Sequence, residues 1–62
     1  MSTAIAPHLV WESVATGIWI GRRDGRFAGV IEARAGGDFI ANDSVATVVY
    51  RTFPEAQAHF ER

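Results

Sequence analysis

The sequence predicts an α+β domain: an antiparallel meander of three or four strands with one C-terminal helix packed on one face. Three observations carry this. Asp24-Gly25 separates two apolar runs, the pattern of a tight hairpin turn, because both central turn positions need φ > 0. Gly36-Gly37 ends the second run and offers another turn. Beyond Tyr50 the apolar spacing changes from alternation to a helical stripe, opened by Thr52-Phe53-Pro54-Glu55.

In chain order, residues 1–8 are small and polar around Pro7 and are expected to form a flexible tail, leaving residues 9–62 as a single small domain. Leu9-Val10-Trp11-Glu12-Ser13-Val14 fits either an extended segment docked on the sheet or a short strand. The hairpin strands are expected over 17–23 and 26–35, followed by a strand over 38–41. Asn42-Asp43-Ser44 is a loop cluster, and the β-branched run from Val45 to Arg51 is a further strand. Thr52 and Glu55 match a capping box, in which the Thr52 hydroxyl accepts the third helical amide and Glu55 reaches back to the Thr52 amide. Pro54 fits a first helical turn, where its missing N–H has no intrahelical partner. Phe53, Ala56 and Phe60 then share one stripe. A helix of two to three turns is marginal alone and must pack on the sheet.

A two-residue turn at Asp24-Gly25 sets Arg23 opposite Arg26, Arg22 opposite Phe27, Ile20 opposite Gly29, Trp19 opposite Val30 and Ile18 opposite Ile31. One face then carries Ile18, Ile20, Phe27, Ile31 and Ala33, joined by Ile40 through the Gly36-Gly37 turn, as the platform for the helix. The other carries Trp19, Val30, Arg23, Arg26, Ala28, Glu32 and Phe39 opposite Arg34. Three occupants fit this second surface: another copy of the chain, the Leu9–Val14 segment folded back with Trp11 as a plug, or a ligand or nucleic acid. Packing of Trp19 over strand glycines is the purely structural explanation.

A chain of 62 residues makes one domain at most. At this size only about 60% of the unfolded surface is buried, so self-association is a natural way to enlarge the core. With no cysteine there is no disulfide framework and no thiolate zinc site, which favours a reducing compartment. The formal net charge of −1 argues against a dedicated nucleic-acid binder while leaving room for a local patch. All six cations are arginine, which suits bidentate or stacking recognition but also follows from compositional bias. Apolar runs fall far short of the ~20 residues a membrane span needs, and the first residues lack the pattern of a signal peptide, so a cytoplasmic protein without membrane association is expected.

Signals for catalysis are few. His8 and His59 make no metal spacing, and a catalytic zinc typically needs three protein ligands. His59 follows Glu55 by four residues, where a side-chain pair on the helix is the ordinary explanation. Ser13 and Ser44 have no evident base, and Asp24, Asp38 and Asp43 sit at turns where Asp bonds the local backbone. Gly17, Gly21, Gly25 and Gly29 recur every four residues, but on strands and a turn rather than as a phosphate loop. No catalytic, cofactor-binding or metal-binding residue is therefore assigned. The hairpin tip carries Arg22, Arg23 and Arg26, which could grip phosphates if a two-stranded ribbon entered a major groove; solubility is the competing explanation.

The stretch Tyr50-Arg51-Thr52-Phe53-Pro54-Glu55-Ala56, after a run of strands, resembles DNA-binding modules made of a three-stranded sheet plus a helix. These are the plant ethylene-response-factor domain and the arm-type domain of tyrosine recombinases. That resemblance implies a sheet face turned away from the helix and reading the major groove, with Trp19, Arg23, Arg26 and Arg34 in the reading positions. Val30-Ile31-Glu32, Gly36-Gly37 and Glu55-Ala56 are also similar to HicB-like antitoxin domains. Both resemblances imply an antiparallel sheet backed by one helix. The function expected is a small non-enzymatic interaction module, self-associating as a homodimer or binding a protein partner through Trp19, Val30, Phe39 and Arg34. The alternative is DNA binding by Arg22, Arg23 and Arg26 with the Trp19 face.

Overall fold

The computed structural model describes residues 9–61, so the expectation of a tail over residues 1–8 lies outside the described residues. The architecture is a five-stranded antiparallel meander with one short C-terminal helix against it, an α+β fold with more strands than the sequence indicates. The strands are β1 (Leu9–Ala15), β2 (Ile18–Arg23), β3 (Arg26–Ala33), β4 (Phe39–Asn42) and β5 (Thr47–Tyr50), in that spatial order, followed by α1 (Phe53–Ala58). The added strand is β1, which pairs with β2 from Leu9 to Ala15, interrupted at Val14, instead of docking across the sheet. β1 and β5 are the two edges.

Asp24 and Gly25 take φ of 54° and 81°, the paired left-handed conformations of the tight hairpin turn their sequence implies. Next to the turn, Arg23 faces Arg26 and Arg22 faces Phe27 as expected, but the ladder then slips. Ala28 is an extra residue in β3: Gly21 pairs with Gly29, Ile20 with Val30, Trp19 with Ile31 and Ile18 with Glu32. The second turn slips too. The Gly37 amide donates to the Arg34 carbonyl at 3.0 Å, and the Arg34 amide to the Asp38 carbonyl at 2.8 Å. The loop is thus Ala35-Gly36-Gly37, with Gly37 at φ 97°, a three-residue hairpin connection closing on a left-handed glycine. Ala33 consequently faces Phe39, and Ile31 faces Ala41.

Because strand side chains alternate with period two, each one-residue slip inverts a strand relative to its neighbour. The expected assignment of faces is therefore corrected. Ile31 and Ala33 keep their expected side, while β2 and β4 are turned over around them. The helix side carries Trp11, Trp19, Gly21, Gly29, Ile31, Phe39 and Ala41, and Ile18, Ile20 and Ile40 face away.

The two glycines supply the physical reason. A methyl at Gly29 would collide with the Phe60 ring and lie 2.9 Å from the Asn42 carbonyl oxygen; one at Gly21 would lie 2.8 Å from the Trp11 ring. Aligning Gly21 with Gly29 opens a trough that admits both rings, and only the bulged register provides it. Trp11 meets Phe60 edge-on at a centroid distance of 5.1 Å, and Trp19 lies 4.6 Å from Phe53. The fully enclosed part of the core is small: Ile31, Ala41 and Ala56 at 0% exposure and Phe60 at 7%, ringed by half-buried Leu9, Trp11, Trp19, Phe39, Tyr50 and Phe53. The helix begins where the capping pattern puts it. Thr52 Oγ1 accepts from the Glu55 amide at 3.2 Å, although it also donates to the Glu55 carboxylate, so the return bond goes to the hydroxyl instead of the Thr52 amide.

Candidate functional site

The helix covers one side of the sheet and leaves the other open. The cross-strand pairs arrange the open side in three rows. Nearest the Asp24-Gly25 turn are Val10, Arg22 and Phe27, the last on the side away from the helix instead of beneath it; the middle row is Glu12, Ile20, Val30, Asn42 and Thr47; the far row is Ala15, Ile18, Glu32, Ile40 and Val49. Ile20 and Val30 thus sit at the centre of an apolar field completed by Ile18, Ile40, Val49 and Val10. Its periphery is accessible: Val10 is 50% and Val49 49% exposed, and the central residues are half-buried. Three charges mark the field, Arg22, Glu12 and Glu32. Arg22 Nε lies 3.7 Å from Glu12 Oε1, with both side chains about half exposed, a contact worth little by itself.

The structure does not bring the expected interaction residues together. Trp19 and Phe39 lie 6.3 Å apart on the helix side, packed with Phe53 in tilted and edge-on contacts against the core. Val30 alone remains on the open side. Arg34 occupies the β3–β4 turn, where its Nε is 3.3 Å from the Asp38 carboxylate. The cause is the pair of slips described above, which moves Trp19 and Phe39 away from Val30. The cationic tip is likewise divided by strand alternation. Arg22 belongs to the open side, whereas Arg23 reaches under the sheet to donate to the carbonyl of Phe60. Arg26 is exposed at the turn.

A polar cluster lies at the opposite surface, between the β4–β5 loop and the end of the helix. Asp43 Oδ1 accepts from the amides of Val45 and Ala46, each at 2.7 Å, and its Oδ2 is 2.8 Å from His59 Nε2. His59 Nδ1 is 2.7 Å from the Tyr50 hydroxyl. The Ala46 and Val45 amides, with a further contribution from His59, lower the Asp43 pKa to about 2. Asp43 Oδ2 accepts a hydrogen bond from His59 Nε2–H, and in the tautomer that carries its proton on Nε2 the ring Nδ1 accepts from the Tyr50 hydroxyl. The chain of bonds fastens the loop to both the last strand and the helix end. Beside it opens a cleft of about 890 Å³ whose lining includes Arg23, Arg26, Asp43, Ser44, His59 and Phe60.

Sequence reasoning assigned His59 to a pair with Glu55 and Asp43 to its local turn; the turn bonds exist, but the His59 ring bonds Asp43 and Tyr50 instead. It also placed Ile18, Ile20 and Ile40 beneath the helix. The signal that would have corrected this was present in Gly21 and Gly29, one on each hairpin strand, in a chain with more rings than a single helix stripe can cover. Among the described residues no helix is long and apolar enough to cross a membrane. No protein-family model, no curated protein and no solved structure matches the chain.

Proposed function

We propose that the chain is a small non-enzymatic interaction module that self-associates through the sheet face opposite the helix. The observation carrying this reading is an imbalance of burial. Among the described residues Ile31 is the sole large side chain that is fully enclosed, while Ile18, Ile20, Val30, Ile40, Val49 and Val10 stand together on the uncovered face. A contiguous apolar field on a minimal domain marks a contact surface, and covering it supplies the burial that so short a chain lacks. Rows of three, five and five residues at ordinary sheet spacings cover roughly 400 Å² of each copy, so two copies bury about 800 Å², the size of a weak, reversible contact.

The test is association measured by sedimentation or light scattering across concentration. The wild type is expected to be dimeric in the micromolar range. Ile20→Lys is expected to be monomeric and still folded by circular dichroism, since residue 20 faces away from the core. A wild-type chain that stays monomeric up to about 1 mM sinks the reading.

Nucleic-acid binding by Arg22, Arg23 and Arg26 has less support, because Arg22 contacts Glu12 and Arg23 bonds the Phe60 carbonyl. Retention on mixed-sequence DNA at low salt, abolished by replacing all three arginines with alanine, would favour that alternative.

A further inference from the structure

We propose that two copies mate face to face with their strands reversed, so that Arg22 of one protomer meets Glu32 of the partner subunit. This geometry rests on the self-association reading and fixes how the second copy is placed. A dimer built from one surface patch is two-fold symmetric. To bring two sheet faces together, the two-fold axis must lie in the plane between them. Packed sheets keep their strands within about 30° of alignment, so the axis runs either nearly along the strands or nearly across them.

The charges on the open face distinguish the two choices. Arg22 lies on β2 in the row nearest the hairpin turn, and Glu32 lies on the adjacent β3 in the far row, with the apolar Ile20–Val30 row between them. An axis along the strands keeps each row over itself. It then brings Arg22 toward its own copy and Glu32 toward its own copy, two like-charge approaches with no compensating pair. An axis across the strands, along the Ile20–Val30 row, exchanges the near and far rows. Each Arg22 then lies above the strand beside Glu32 of the partner subunit, at a sheet separation of about 10 Å and one strand spacing of about 4.8 Å to the side. An arginine and a glutamate reaching from facing sheets span that gap, and symmetry makes the pair twice.

Glu12 is the one charge this arrangement does not favour, since it sits on the middle row and faces its own copy across the axis. It lies on the edge strand, at the rim of the interface, and Arg22 stands 3.7 Å from it. One screened like-charge approach at the rim against two opposite-charge pairs near the centre favours the reversed arrangement. The same geometry stacks Ile20 and Val30 on their own counterparts at the middle of the interface.

The experiment compares the dimer dissociation constants of the full chain at low ionic strength for the wild type, Arg22→Glu, Glu32→Arg and the double exchange. Each single reversal is expected to weaken the dimer about tenfold, and the double exchange to recover it to within about threefold of the wild type. Both positions are exposed, and circular dichroism verifies that each variant keeps the fold. A wild-type dimer whose double exchange remains as weak as the single changes overturns the reversed geometry and leaves self-association standing. A monomeric wild type overturns self-association itself. Added salt is expected to narrow the differences among the four proteins, because it screens the exchanged charges.

Discussion

At the scale of single residues, the fold turns on two positions that have no side chain. Gly21 and Gly29 face each other across the hairpin and form the floor on which Trp11 and Phe60 rest. Gly29→Ala is expected to cost about 1–3 kcal/mol, the usual range for overpacking a filled site, read as a lower urea midpoint. Phe60→Ala removes the ring from the other side of the same contact and is expected to cost about 3 kcal/mol. An unchanged midpoint in either variant would contradict the packing. Asp43 adds a dependence on pH. Its folded pKa of about 2 lies below the ordinary aspartate value of 3.8, so its contribution is complete above about pH 4 and lost as the pH falls toward 2. Thermal melts between pH 5 and 2 are expected to show wild-type stability declining through that window, with a shallower decline in Asp43→Asn.

At the scale of elements, local signals were legible and their alignment was not. The Asp24-Gly25 turn, the helix start at Thr52 and four of the strands follow from residues within a few positions of each element. Thr52→Ala is expected to cost about 1 kcal/mol, a drop of roughly 4–8 °C in melting temperature for a domain of this size, because the Glu55 amide loses its acceptor. The register depended on something remote. Nothing near Ala28 announces an extra residue; the slip is selected by rings from β1 and from the chain beyond α1, which approach only after the sheet exists. A regular two-residue hairpin was the natural reading of the local sequence, and it put Trp19 and Phe39 on the wrong side. The Tyr50–His59–Asp43 bonds escaped for a similar reason, since they join segments separated by a strand and a helix.

At the scale of the whole molecule, burial is uneven. Aromatic rings and a helix of six residues crowd one side of the sheet, and aliphatic residues line the other without cover. Lengthening the helix would do nothing for the uncovered side, whereas association through it gives the central strands two buried faces. The strands at the two ends have a different exposure. β5 has only four residues, and β1 loses regular pairing at Val14, which has no counterpart on β2. Strand-by-strand growth into fibres requires a long, even rim of hydrogen-bonding groups, and a short border on one side with a kinked one on the other denies it. Removing Val14 would straighten the kinked border, and such a deletion is expected to bind thioflavin and sediment as polymer under conditions where the intact chain remains in solution.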